Sequence, residues 1–176
     1  KSWIVQTTTP LFTPEQCRKI IESGRAQKPQ TAQVGMNKPG GGTDTKKRVT
    51  TISWLPFKEM APMYHDLNIF IQKCNENHFG FGDIRITENA QFTEYPEGGF
   101  YDWHMDCDTH MEHEPPVRKI SMTLLLNDPS EFEGGDLELM APGKFAELKQ
   151  GHAICFASFL NHRVNKVRRG VRQSLV

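Results

Sequence analysis

The four cysteines, Cys17, Cys74, Cys107 and Cys155, are scattered, and no CxxC pair occurs among them. That spacing argues against both a thiolate zinc site and a disulfide framework; separated thiols fit a reducing compartment. No apolar run approaches the roughly 18 residues that would cross a membrane, and no signal-peptide pattern is present. Net charge is missing too: 21 basic and 21 acidic residues balance, so nothing calls for a nucleic-acid or membrane partner. Neither GxGxxG nor GxxxxGK[ST] occurs, which removes the phosphate-cradling loops. Internal repeats and long linkers are absent as well. These absences describe a soluble, cytoplasmic protein. The chain begins at Lys1 and not Met, however, so an upstream segment removed by processing stays open.

A chain of 176 residues fits one domain with a substantial core. Its first half reads as helical. Thr13-Pro14-Glu15-Gln16 is a helix start, with Thr as cap, Pro in the first turn and Gln16 closing a capping box. The helix, burying Cys17, Ile20 and Ile21, ends near Gly24. A second helix runs from about Pro62 to Asn77, since Met63, Leu67, Phe70, Ile71 and Cys74 recur at three- and four-residue steps and form a core-facing stripe. Between them, 49–55 reads as a strand. It is preceded by Lys38-Pro39-Gly40-Gly41-Gly42-Thr43-Asp44-Thr45, whose three glycines order at high entropic cost. That loop is either a flap over substrate or a flexible connection.

From Ile84 the pattern changes to short apolar or alternating segments separated by Gly, Pro, Asn and Asp. Strands are expected at 84–95, 99–105, 118–126, 136–140, 152–157, 162–166 and 171–176. Many short strands at this spacing indicate a sandwich or jelly roll. The expected fold is α+β and mainly β: a jelly-roll core over 84–176, with 1–83 as a helical support packed on one sheet.

His104-Met105-Asp106 places an imidazole and a carboxylate two residues apart, hence on one face of a strand. His162 from a distant strand completes a 2-His-1-carboxylate set, the open facial arrangement of non-haem Fe(II) oxygenases. Arg172, ten residues further on, adds a planar fork suited to a carboxylate. Ser174 shares its parity, so both can face the interior. Together they suggest iron, O2 and a dicarboxylate cosubstrate. His110 and His113 sit in the Glu- and Pro-rich stretch Met111-Glu112-His113-Glu114-Pro115-Pro116 and read as surface histidines. His65, His78 and His152 join no ligand pattern.

Four phrases carry a family resemblance: Gln91-Phe92-Thr93-Glu94-Tyr95-Pro96-Glu97-Gly98-Gly99-Phe100; His104-Met105-Asp106; Lys119 to Asp128 running on to Glu133-Gly134-Gly135-Asp136-Leu137; and His162-Arg163-Val164 through Gly170-Val171-Arg172-Gln173-Ser174-Leu175-Val176. In this order they resemble the catalytic domain of the 2-oxoglutarate/Fe(II)-dependent dioxygenases, in the prolyl-4-hydroxylase-like branch, whose fold is the double-stranded β-helix. The resemblance implies that His104, Asp106 and His162 bind Fe(II) and that Arg172, with Tyr95 and Ser174, binds the far carboxylate of 2-oxoglutarate. Arg172 stands where collagen-type relatives carry Lys, and Leu125 where some carry a second tyrosine. Gly134-Gly135 is read as a turn allowing close backbone approach.

The chemistry so implied is hydroxylation of an unactivated C–H, with release of succinate and CO2 and with ascorbate as a reductant. Retention of Asp106 favours hydroxylation over halogenation. The expected substrate is a peptidyl proline, with Arg48, Trp54, Tyr101 and Trp103 as candidate contacts that could cradle a polyproline-II segment. On a regular strand Tyr101 and Trp103 have the opposite parity to His104 and face away from the metal. Hydroxylation of a free amino acid or other small molecule is the second possibility. Nucleic-acid demethylation is disfavoured by the neutral total charge. A non-catalytic cupin-like metal-binding module is the alternative of another class.

Overall fold

The computed structural model describes residues 2–31, 46–107, 117–140 and 144–176, the side chains of 144–146 excepted. Gly40, Gly41 and Gly42, and with them the flap reading, lie outside the described residues, as do His110 and His113.

Two helices precede most of the sheet. α1 spans Pro14–Ala26, and its start is the capping box expected from sequence: Gln16 N donates to Thr13 Oγ1 at 3.2 Å and Thr13 N to Gln16 Oε1 at 2.9 Å. α2 spans Ala61–Cys74, buries Met63, Tyr64, Leu67 and Cys74, and continues as a π turn over Asn75–Phe79 that stops at Gly80, φ +71°. The strands are β1 (Ile4–Gln6), β2 (Gln30–Thr31), β3 (Arg48–Val49), β4 (Thr51–Trp54), β5 (Gln91–Tyr95), β6 (Phe100–His104), β7 (Ile120–Leu125), β8 (Phe132–Gly134), β9 (Leu137–Leu139), β10 (Lys144–Ala146), β11 (Ala153–Ala157), β12 (His162–Val164), β13 (Val167–Gly170) and β14 (Arg172–Leu175).

They form a seven-stranded sheet, in the order β1-β11-β7-β14-β5-β4-β2, and a five-stranded sheet, β10-β9-β12-β6-β3, with β8 and β13 as a separate pair. All pairings are antiparallel. The strand expected at 49–55 is divided: β3 joins the minor sheet beside β6, and β4, one residue later, joins the major sheet beside β5. Thr50 is therefore a corner between sheets, which a continuous apolar pattern does not announce.

Two cores follow from strand alternation. One face of the major sheet packs on the helices: Phe92, Leu124 and Leu175 meet Cys17, Ile20, Met63 and Leu67. Gly24 lets α1 press close, since a Cβ there would lie 2.3 Å from the Phe92 ring. The opposite face looks into the space between the sheets, where Tyr95, Leu125, Ile154 and Phe156 meet Leu137, Leu139 and Val164. Among the described residues no helix is long and apolar enough to cross a membrane.

Candidate active site

Register fixes which side chains share the inter-sheet face, because residues directly opposite in an antiparallel ladder point the same way. In the major sheet Arg172 lies opposite Tyr95 and Ser174 opposite Thr93. In the minor sheet His162 lies opposite His104. The two sheets thus bring a cationic, hydroxyl-rich strand pair to face a pair of histidines.

His104, Asp106 and His162 offer ligand atoms that all lie within 4.8 Å of one another. Asp106 Oδ1 is 3.5 Å from His104 Nε2 and 3.4 Å from His162 Nε2. The Nδ1 atoms turn outward to backbone carbonyls, His104 to Asp102 O at 2.8 Å and His162 to Leu160 O at 3.0 Å. A carbonyl only accepts, so these contacts assign the proton to Nδ1 and leave Nε2 with its lone pair. Burial, followed by the neighbouring His162, pushes His104 down to about 4, so its ring is neutral near pH 7. Burial pushes the Asp106 carboxyl up, but its contacts with His162, Ser121 and His104 outweigh that and hold it down at about 2. An anionic oxygen thus stands beside the neutral ring of His104. A cation between them relieves that arrangement, and two imidazoles with one carboxylate are the donor set for Fe(II).

Ser121 Oγ also contacts Ser158 Oγ at 2.9 Å, and Ser158 O accepts from the backbone N–H of Asp106 at 3.1 Å. This buried support for the carboxylate had no motif to reveal it.

Arg172 is 3% exposed and donates through Nη1 to Ser174 Oγ at 3.1 Å, with its guanidinium carbon 5.5 Å from the Tyr95 ring centre. Burial pushes its pKa down, against the opposing influence of Tyr95 and Asp136. No carboxylate forms an ion pair with it among the described residues. Thr93, opposite Ser174, has the one buried side-chain oxygen among the described residues that lacks a hydrogen-bond partner. An unneutralised guanidinium beside an orphaned hydroxyl fits an incoming carboxylate, which would satisfy both. Thr93 was missed at the sequence level, although its parity with Tyr95 was a signal. Gly135 supports the same corner: at φ +70° a Cβ would lie 2.9 Å from Arg172 Cδ.

The four candidate substrate contacts separate. Tyr101 does not face away from the histidines as a regular strand requires. Two steps along β12, from His162 to Val164, match three along β6, from His104 to Tyr101. The extra residue is a bulge that reverses parity and stacks the Tyr101 ring on His104 at 3.4 Å and 7°. Trp103 does turn outward, against the Arg163 guanidinium at 4.7 Å, and Arg163 in turn binds Glu138 at 2.7 Å. Trp54 lies opposite Gln91, at the far end of β5 from Tyr95. Arg48 is 7% exposed, with its guanidinium carbon 4.3 Å above the Tyr101 ring centre.

Comparison with known proteins agrees with this geometry. The profile of the 2OG-Fe(II) oxygenase superfamily matches residues 90–176. A PKHD-type hydroxylase of Gluconacetobacter diazotrophicus is 36% identical over 86 residues, covering 46% of this chain and 38% of that one. A PKHD-type hydroxylase of Pseudomonas aeruginosa is 31% identical over 86 residues, with the same two coverages, 46% and 38%. The chain thus spans well under half the length of these curated relatives. A Pseudomonas putida prolyl-4-hydroxylase superposes with TM-score 0.73 at 20% identity, over 98% of this chain and 89% of that one. The viral collagen prolyl hydroxylase of Paramecium bursaria Chlorella virus-1 gives 0.76 at 16% identity, over 99% and 93%. At such identities the structures speak for the fold, the double-stranded β-helix. Over residues 90–176 the chain belongs to the 2OG-Fe(II) oxygenase superfamily, and its His104, Asp106 and His162 set fits the Fe(II) of that family's name.

Proposed function

We propose that the protein hydroxylates an unactivated C–H of a peptidyl proline, as a 2-oxoglutarate- and Fe(II)-dependent dioxygenase. The observation that carries this reading is the convergence of His104 Nε2, Asp106 Oδ1 and His162 Nε2 beside a buried Arg172 that lacks an acidic partner among the described residues. In this reading His104, Asp106 and His162 hold the metal on one face. Arg172, Ser174 and Tyr95 hold the far carboxylate of 2-oxoglutarate, and Thr93 donates to it as well. Bound Fe(II) and 2-oxoglutarate supply the activation of O2, with oxidative decarboxylation to succinate and CO2 and transfer of one oxygen atom to the substrate.

The chain's own contribution is position and charge. Asp102 O and Leu160 O fix the histidine tautomers. Leu125, Ile154 and Phe156 give the inter-sheet space an apolar wall, which disfavours water beside the reacting groups. Residues 1–83 act as support for 84–176, since α1 and α2 back the major sheet and β3 and β4 extend both sheets. The proline assignment draws support from similar folds, one of them a Trichoplax adhaerens prolyl hydroxylase in complex with a hypoxia inducible factor peptide fragment.

The test is mass spectrometry of proline-rich peptides, free proline and methylated oligonucleotides after incubation with Fe(II), 2-oxoglutarate, ascorbate and air, with succinate followed in parallel. Oxygen gained by a peptidyl proline is the expected result. Succinate with no modified proline would reject the substrate, and no succinate would reject the oxygenase.

A further inference from the structure

Six of the nine described arginines divide into two groups. Arg25, Arg118, Arg163 and Arg169 each hold a carboxylate, those of Glu94, Glu88, Glu138 and Glu133 respectively. Arg48 and Arg172, 7% and 3% exposed, form no ion pair among the described residues. This inverts the usual economy of charge, in which surface cations stand alone and buried ones are paired. Arg172 is accounted for by the far carboxylate of 2-oxoglutarate. Arg48 is not accounted for by anything the reaction needs so far.

Its surroundings are specific. Arg48 Nε donates to Thr50 Oγ1 at 2.9 Å and Nη2 to Gln91 Oε1 at 3.4 Å, and the guanidinium reaches the Tyr95 hydroxyl. All three acceptors are neutral, and a guanidinium has five N–H donors, so among the described residues the side chain is held in place with donors to spare. It lies 4.3 Å over Tyr101, whose ring lies 3.4 Å from that of His104. Two groups at those distances cannot share one ring face, so Arg48, Tyr101 and His104 form a three-layer stack. The cation therefore stands two stacking distances from a metal ligand, within the reach of a substrate whose C–H is presented there.

Charge placement points the same way. Asp136 acts on Arg172 and Asp106 lies against the two histidines, whereas Arg48 has no carboxylate in an ion pair among the described residues. A monoanion brought by the substrate would complete the Arg48 side of the site.

We propose that Arg48 binds a carboxylate carried by the substrate, so that the hydroxylated residue presents its own free α-carboxylate or stands beside an acidic side chain. The inference rests on the reading of this site as 2-oxoglutarate- and Fe(II)-dependent, and it narrows the substrate of that site to an anionic one.

Calorimetry on the full chain tests it without turnover. The protein is first titrated with Mn(II), then with 2-oxoglutarate. The loaded protein next receives N-acetyl-L-proline or its amide and, as a second matched pair, N-acetyl-Pro-Glu amide or N-acetyl-Pro-Gln amide. The expected result is that the acid of at least one pair binds ~10-fold or more tightly than its neutral partner, as a charge-assisted hydrogen bond implies. The pair that discriminates identifies the source of the carboxylate. Arg48→Gln should bring acid and neutral ligand to parity, and Arg48→Lys should keep part of the difference. Equal affinities within both pairs in the wild type, with Mn(II) and 2-oxoglutarate bound, would overturn the proposal and leave the oxygenase reading intact. Failure of 2-oxoglutarate to bind the Mn(II) protein would instead overturn the underlying reading. Loss of Mn(II) binding in both Arg48 variants would assign Arg48 to the framework of the metal site and overturn its role in recognition.

Discussion

The phenol ring of Tyr101 lies parallel to the imidazole of His104, with centroids 3.4 Å apart and planes 7° from coplanar. The contact exists because β6 carries one residue more than the strand it pairs with. It holds His104 from the face, while Asp102 O holds it from the edge at Nδ1. Groups that orient a metal ligand typically matter by 10–100-fold in affinity. Tyr101→Ala should therefore weaken Mn(II) binding by about 10-fold, and Tyr101→Phe, which keeps the ring, should not. Calorimetric titration of the two variants checks this; equal weakening in both would transfer the effect to the hydroxyl.

Asp106 supplies the anionic atom of the triad, facing both histidines at 3.4–3.5 Å. Asp106→Ala should abolish hydroxylation and lower metal affinity beyond detection in the same titration. Full activity retained in this variant would remove Asp106 from the site.

Arg172→Ala and Thr93→Val should act on one quantity to different extents. Loss of a charge-assisted hydrogen bond, about 1.5–3 kcal/mol, corresponds to a 2-oxoglutarate requirement raised by about 10–100-fold. Loss of the neutral Thr93 hydroxyl should raise it by only about 2–10-fold. Because that hydroxyl has no partner in the structure, Thr93→Val should leave the urea midpoint of the ligand-free protein unchanged or higher. A lower midpoint would mean that the hydroxyl serves the fold and not the cosubstrate.

Gly24→Ala sets two effects against each other. Alanine gains roughly 1 kcal/mol of helix propensity over glycine, but its Cβ would meet the Phe92 ring at 2.3 Å, and overpacking costs about 1–3 kcal/mol. The contact should win and the denaturation midpoint should fall. A raised midpoint would show that α1 can slide on the sheet without loss.

The ligand-free protein should respond to acid in two steps. His104 is lowered from 6.5 to about 4, so the unfolded chain takes up the proton first and stability is lost as pH falls through that interval. Asp106 is lowered from 3.8 to about 2, so its contribution is present above 3.8 and disappears as pH falls toward the folded value. Urea midpoints measured from pH 7 to 3 should decline through the first window, and His104→Gln should flatten that decline. A wild-type midpoint that stays level between pH 6.5 and 4 would contradict the burial assigned to His104.

The triad was legible because its signal is local: two ligands at i and i+2, a third in a separate strand, and a cation ten residues beyond it. Helix α1 was legible for the same reason, since a capping box is written in four consecutive residues. The outward orientation expected of Tyr101 on a regular strand is not what forms, because parity holds only for a regular ladder and a bulge depends on what pairs with the strand. Arg48 was named as a candidate substrate contact, with nothing in the sequence to show that it is buried. Its burial follows from the turn at Thr50 that sends β3 and β4 into different sheets, a tertiary event with no single-residue marker. Thr93 and Ser121 looked like ordinary strand hydroxyls until register placed them behind functional groups.

β14 sits near the middle of the major sheet, between β7 and β5, and joins residues as distant as Gln173 and Glu94, 79 positions apart in the chain. Pairing across such a separation carries a high loop-closure cost, and the same ladder sets Arg172 opposite Tyr95 and Ser174 opposite Thr93. The four groups proposed for the far carboxylate of 2-oxoglutarate are therefore one register event: any loosening of β14 from β5 would disperse them together, while the histidines, held by a different sheet, would keep their places.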